Sequence, residues 1–146
     1  GGDRDQVRAI AAGEGDLAVI NHYYVAQMLA SDGADRRAAE AVRVIFPDQG
    51  LSQTPLGGAH VNISGAGVVK TAPNRENAIK FIEYLLSDEA QKVLVSGTYE
   101  YPVAEGVAIH EILEGFGAFR PADVPVSAMA ERNREAVQTM DRAGWR

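Results

Sequence analysis

The chain has no cysteine. That single absence removes disulfides, thiolate nucleophiles and thiolate metal sites, although it leaves the compartment open, because proteins of oxidising spaces can also avoid the residue. Long apolar runs are missing as well, and the longest present are far too short to span a bilayer. Near the start there is neither a methionine nor a basic and apolar leader. The opening Gly1-Gly2-Asp3-Arg4 leads straight into a helical pattern, which reads as a sequence cut from something longer, with any signal peptide in the part before it. Positive charge is scarce: 14 Lys and Arg face 20 Asp and Glu, for a net charge of -6 and a pI near 5.0. With no basic stripe, the balance argues against nucleic acid or an anionic membrane surface as the main partner. Repeats and low-complexity tracts are absent too.

What is present is an ordinary globular balance. The 146 residues are 46% hydrophobic and 23% charged, enough for one domain with a real core. Arg4 to Ala12 places Val7, Ile10 and Ala11 on one helical face, with Asp3 as N-cap and Gly13 and Gly15 as the stop. Asp16 to Ile20 is a short apolar run of buried-strand type, and helical spacing resumes from Tyr24 to Ala30 through Val25, Met28 and Leu29. A helix is expected over Asp35 to Val42, a strand over Arg43 to Phe46, and a loop over Pro47 to Gly58. Val61 to Lys70 alternates like a strand, with glycines that suit a bend or close backbone approach. Two helices follow, Asn74 to Leu86 and Asp88 to Val95, the first with a buried face of Ile79, Phe81, Ile82, Leu85 and Leu86. Tyr99 to Val103 is a further strand, Glu105 to Pro125 is loop-rich, and Ser127 to Ala143 is a charged amphipathic helix. Strands alternating with helices give an α/β class.

Chemistry concentrates where the first strand gives way to a helix. Tyr23 and Tyr24 are two of only five tyrosines. On a helix, neighbours differ by about 100°, so a backbone that turns helical there can aim both phenol oxygens to one side of a cleft. A phenol has a pKa of about 10, so a weak cation leaves it protonated, whereas a trivalent ion can displace the proton and take phenolate as an oxygen ligand. Ferric iron is the obvious candidate. The competing reading packs both rings in the core with their hydroxyls hydrogen-bonded, and spacing alone leaves the two open.

The stretches GGDRDQVRAIAAGEGDLAVINHYYVAQMLAS, GAHVNISGAGVVKTAPNRENAIKFIEYLLSDEAQKVL and YEYPV together resemble the C-terminal half of the bacterial periplasmic ferric-ion-binding proteins, the solute receptors of iron ABC importers. The likeness covers nearly the whole chain, and NREAVQTMDRAGWR resembles the natural end of those proteins. The resemblance implies a two-lobe, type II periplasmic-binding-protein architecture with its N-terminal part missing. It makes Tyr23 and Tyr24 iron ligands and gives Asn21 a share in holding a synergistic anion such as phosphate or carbonate. The remaining family ligands lie in the absent part. It also implies that residues 1–59 belong to the C-terminal lobe, that 60–102 form a crossover strand and a segment of the N-terminal lobe, and that 103–146 return to the C-terminal lobe with closing helices. The partners it implies are the ferric ion, the missing N-terminal part of the same receptor and a permease in the inner membrane. The location it implies is the periplasm, or a lipid anchor on the outer face of a Gram-positive cell. Nothing is chemically transformed.

Other residues carry weaker cases. His22 could be a ligand or base, but the family position tolerates other residues, which favours a supporting role. His110 and Glu114 have the i,i+4 spacing of a helical metal pair, yet Gly115 and Gly117 crowd them and no third ligand is evident. His60 is isolated. Glu14 and Asp16 could raise cation affinity near the tyrosines, or merely turn a helix end. The charges of Arg132 to Arg142 read as a solvated face, one that could also meet a permease. Two other classes stay open: a receptor of the same fold for an anion, polyamine or organic solute, which would stack on or bond to the tyrosines, and an enzyme, for which no nucleophile with its base and no paired carboxylates can be specified.

Overall fold

Helix α1 (Asp3–Ala11) ends where Gly13 takes a φ of 79°, a left-handed turn that glycine adopts without the cost of a Cβ, in the computed structural model, which describes residues 1–50 and 57–145. Its N-cap is Gly2 rather than the expected Asp3, and Asp5 Oδ2 accepts the Gly2 N–H at 3.2 Å. Six further helices are described: α2 (His22–Leu29), α3 (Gly33–Glu40), α4 (Arg75–Leu85), α5 (Asp88–Thr98), α6 (Glu111–Glu114) and α7 (Val126–Arg142). The expected helices fall within a few residues of these, save α6, which was read as loop. The expected loop over Pro47 to Gly58 includes residues 51–56, which lie outside the described residues.

The chain divides into two compact units. The first comprises Gly1–Ile45 and Ser64–Ala118. Its core joins α1, α2 and α3: Val7, Val25, Met28 and Ala39 are buried together, with Ile20, Leu29, Val44 and Phe116 packed against them. Met28 is fully buried, which makes it the largest side chain closing this three-helix cluster. On the rim Arg8 grips Asp35 with two parallel bonds, Nε to Oδ1 at 2.9 Å and Nη2 to Oδ2 at 3.1 Å, fixing α1 against α3.

In the same unit α4 and α5 are separated at Ser87, whose hydroxyl caps α5 by accepting the Ala90 N–H at 3.3 Å. Buried Gln91 then bridges two pieces of backbone: Nε2 donates to the Leu85 carbonyl at 2.8 Å and Oε1 accepts the Val103 N–H at 2.9 Å. That side chain holds the stretch after α5 in place. Tyr99, the C-cap of α5, sits in the left-handed region at φ 60°, an uncommon conformation for a residue with a side chain, and reverses the chain toward α2.

The second unit comprises Phe46–Ile63 and Phe119–Arg146. Phe46 and Phe119 stack at 4.2 Å, and Gln49 pairs with the Arg120 backbone, accepting its N–H at 2.7 Å. Ala59 bonds the Arg120 carbonyl at 2.9 Å and receives the Ala122 N–H at 2.8 Å, a parallel bridge. Gly58 is required beside it, because its φ is 116° and a Cβ there would lie 2.5 Å from the Pro121 carbonyl oxygen.

That bridge is the one β pairing among the described residues. The expected strands at Asp16 to Ile20, Arg43 to Phe46, Val61 to Lys70 and Tyr99 to Val103 form no ladder. Leu17 and Val19, expected in a buried strand, are 81% and 84% exposed. Apolar sequence favours a strand only when a neighbouring edge takes up its N–H and C=O groups, and no such edge lies beside these segments among the described residues. The apolar face expected to be buried on α4 also stands open: no α4 residue is buried, and Phe81 and Leu86 are each 59% exposed.

Candidate metal centre

The first turn of α2 carries the tyrosine pair. Asn21, the N-cap, keeps an extended backbone at φ -81° and ψ 129°, and its carbonyl accepts the Tyr24 N–H at 3.2 Å. The chain is therefore already helical between Tyr23 and Tyr24. As adjacent helical residues they are rotated rather than opposed, and their rings come to 4.3 Å between centroids at 35°. Both are half-buried. The sequence placed them at a strand-to-helix junction; the structure places both inside the helix.

The phenols act on each other. A hydrogen bond with Tyr24 is the largest influence on the Tyr23 hydroxyl, followed by burial, the Tyr24 charge and the carboxylates of Glu100 and Asp3, and together they push it up to about 12. Near neutral pH the Tyr23 phenol is thus held protonated. Only an ion acidic enough to expel the protons can bind as to phenolate, a demand that favours a trivalent cation over magnesium or calcium.

Two carboxylates flank the pair from distant parts of the sequence. Asp3, at the start of α1, accepts the Asn21 backbone N–H at 2.7 Å and its side-chain amide at 3.4 Å, both through Oδ1. Glu100 follows α5; the Ser64 hydroxyl donates to its carboxylate at 2.8 Å and its own N–H donates to the Thr98 hydroxyl at 3.3 Å. Sequence reading named Glu14 and Asp16 instead. Both are exposed in the turn after α1, and neither is among the groups that act on Tyr23. Proximity along the chain suggested them, while Asp3 and Glu100 required knowledge of how α1 and α5 pack. The one available signal for Glu100 was its place in YEYPV.

His22 supports the pair from behind. Its ring lies 4.9 Å from Tyr101 and 6.5 Å from Phe116, edge-on to Tyr23 at 6.1 Å. Burial lowers its pKa, against a hydrogen bond to the Tyr99 backbone and the nearby Glu100 charge, so the imidazole is neutral near pH 7. Its Nε2 is buried and has no hydrogen-bond partner among the described residues. His110 serves a different purpose: as N-cap of α6 it accepts the Ile112 N–H through Nδ1 at 3.1 Å. His60 is exposed. Among the described residues no three His, Cys, Asp or Glu side chains converge to hold a metal, so the case rests on the phenols. An open recess of about 650 Å³ is lined by Leu29, Arg36, Tyr99, His110 and Phe116. It includes none of Asn21, Tyr23 and Tyr24, and its Arg36 is occupied by Glu40 at 2.8 Å.

Comparison with known proteins gives consistent matches. Residues 1–92 match the family described as bacterial extracellular solute-binding protein. Iron uptake protein A2 of Synechocystis sp. is 42% identical over 146 residues, spanning 99% of this chain and 41% of its own length. A Trichodesmium protein solved in complex with iron and citrate superposes with a TM-score of 0.90 at 47% identity, covering all of this chain and 45% of that one. The ferric binding protein from Campylobacter jejuni does so with a TM-score of 0.90 at 38% identity and the same 45% share. This chain therefore spans less than half the length of the relatives it matches.

Proposed function

The chain belongs to the bacterial extracellular solute-binding proteins, in the α/β fold of their two-lobe type II members, and from that premise we propose that it carries part of a ferric-ion site. Tyr23 and Tyr24 supply two phenolate ligands from the first turn of α2. The observation that carries this reading is the pair itself: two phenol rings 4.3 Å apart in the first turn of α2, with the Tyr23 hydroxyl raised by Tyr24, by burial and by the carboxylates of Glu100 and Asp3. Expelling both protons exchanges a neutral pair for two anionic oxygens, which a 3+ charge rewards far more than a 2+ charge.

Two phenolates fill only part of the roughly six-coordinate shell that Fe³⁺ usually takes, so the other ligands come from the rest of the receptor and from an anion. Asn21 has one amide hydrogen turned to Asp3 and a second that can meet a phosphate, a carbonate or a citrate carboxylate. The Trichodesmium relative, solved with iron and citrate, makes the carboxylate a real contender. The lobe assignment that goes with this reading is 1–59 and 103–146 in one lobe and 60–102 in the other, which divides the first compact unit, Gly1–Ile45 with Ser64–Ala118, between the lobes. The exposed apolar face of α4 and the unpaired extended segments are then covered by the remainder of the receptor. The protein works outside the cytoplasmic membrane, in the periplasm or anchored by lipid on a Gram-positive surface, and hands the ion to an ABC permease without transforming it.

Iron titration of the full-length receptor tests this. Phenolate bound to Fe³⁺ absorbs in the visible through ligand-to-metal charge transfer, which a hydrogen-bonded tyrosine cannot do. The reading expects a coloured one-to-one complex. A colourless protein that ignores iron and binds an organic solute instead would return the site to the other solute classes.

A further inference from the structure

Glu100 is anchored by a hydroxyl donor and has no cationic side chain in an ion pair with it among the described residues. Ser64 Oγ donates to Oε1 at 2.8 Å; the Thr98 hydroxyl, which gives its proton to the Leu94 carbonyl at 2.9 Å, lies 3.4 Å from Oε2 and accepts the Glu100 N–H at 3.3 Å. Hydroxyl donors fix a carboxylate without cancelling it, and no Lys, Arg or His forms an ion pair with Glu100 among the described residues. Its backbone is fixed as well. Thr98 gives its carbonyl to Gln27 of α2 at 3.4 Å, Tyr101 lies on the His22 ring, and Val103 is bound by Gln91. Residues 98–103 are thus strapped across the start of the helix that bears Tyr23 and Tyr24. Ser64 belongs to the extended, exposed segment before α4, so one bond joins that segment to the carboxylate.

We propose that Glu100 is a positioning residue of the ferric site, whose anchored and unneutralised carboxylate holds negative charge beside the tyrosine pair and links that charge, through Ser64, to the exposed segment 64–69 before α4. This rests on the ferric reading of the same site. The carboxylate does not need to touch the metal. A fixed anion near a bound trivalent ion attracts it at ranges where hydrogen bonds no longer act, and a carboxylate fixed in advance loses little freedom when the ion arrives.

The test uses the full-length receptor, Fe³⁺ and a competing chelator, with the visible band recorded alongside affinity. Glu100→Gln keeps the shape and, through its carbonyl oxygen, the Ser64 bond, but removes the charge. It should leave the band where it is and lower iron affinity by on the order of tenfold. Glu100→Asp, with charge kept on a shorter arm, should recover part of that loss. Ser64→Ala, which leaves the carboxylate charged but frees one oxygen, should speed iron release by a smaller factor. Unchanged affinity in Glu100→Gln overturns the inference, and a shifted or dimmed band overturns it in another way by making Glu100 a direct ligand. Should Glu100→Gln fail to fold, the Ser64→Ala release rate decides, and a wild-type rate would sink the link. A wild-type receptor with no band removes the ferric reading itself, and this inference with it.

Discussion

Asp3 Oδ1 accepts the Asn21 backbone N–H at 2.7 Å, so the first residue of α1 holds the cap of α2 across 18 positions of sequence. A half-buried charge-assisted bond of this kind contributes about 1–2 kcal/mol net. Asp3→Ala should lower the unfolding free energy by about that amount, read as a lower denaturant midpoint at unchanged m, and loosen the helix start on which both phenols depend. Amide hydrogen exchange at Asn21 should rise before exchange at Met28 does. Equal protection at both positions would show that the Asp3 contact does not fix the start of α2.

The raised Tyr23 hydroxyl gives a sign that can be checked. Its value moves from the ordinary 10.0 to about 12, so the folded state favours the protonated form. That contribution to stability is complete below pH 10 and is lost as pH rises through about 12. Metal-free Tyr23→Phe should therefore lose less stability than wild type between those values, measured as the difference in Tm. Iron binding runs the other way. Because each phenol must give up a proton, affinity should fall by up to about two log units per pH unit on acidification, through these two groups alone. A slope near zero would mean that neither tyrosine ionises on binding.

His110 provides a contrast. Its Nδ1 caps α6, so His110→Ala should cost about 1 kcal/mol of stability and leave iron affinity of the full-length receptor unchanged. Weakened iron binding with an unchanged melting temperature would instead make it part of the site.

Helices were legible in the sequence because their signals are local. Gly13 marks a stop, Ser87 a start, and Val7, Val25 and Met28 a buried stripe, each readable within a turn or two of chain. Strands were not, since whether Asp16 to Ile20 pairs depends on an edge elsewhere, and this segment has none among the described residues. The site divides in the same way. Tyr23, Tyr24 and Asn21 announce themselves by adjacency and by family resemblance, whereas Asp3, Glu100 and the aromatic backing of His22 arise from packing between elements far apart in sequence. α6 was missed because a single turn capped by histidine leaves no periodicity to detect.

The apolar surface of α4 and α5 bears on how residues 1–146 behave alone. Phe81, Leu86 and Val93 are 59%, 59% and 67% exposed, and surface of this kind drives association unless another part of the receptor covers it. Sedimentation of the isolated 146-residue chain should show self-association that polar substitutions at Phe81 and Leu86 relieve. A monomer at high concentration would mean that this face needs no cover.

The central claim is that iron is held by these two phenols, and resonance Raman spectroscopy excited within the visible band reads that bond directly. Iron-loaded full-length receptor should show tyrosinate ring modes. Tyr23→Phe and Tyr24→Phe should each reduce them and weaken iron binding, with the double variant losing both the modes and the colour while keeping its far-ultraviolet circular dichroism, since only hydroxyls are removed. Full tyrosinate modes and wild-type affinity in the double variant would contradict the account, and would reduce the pair to packing at the start of α2.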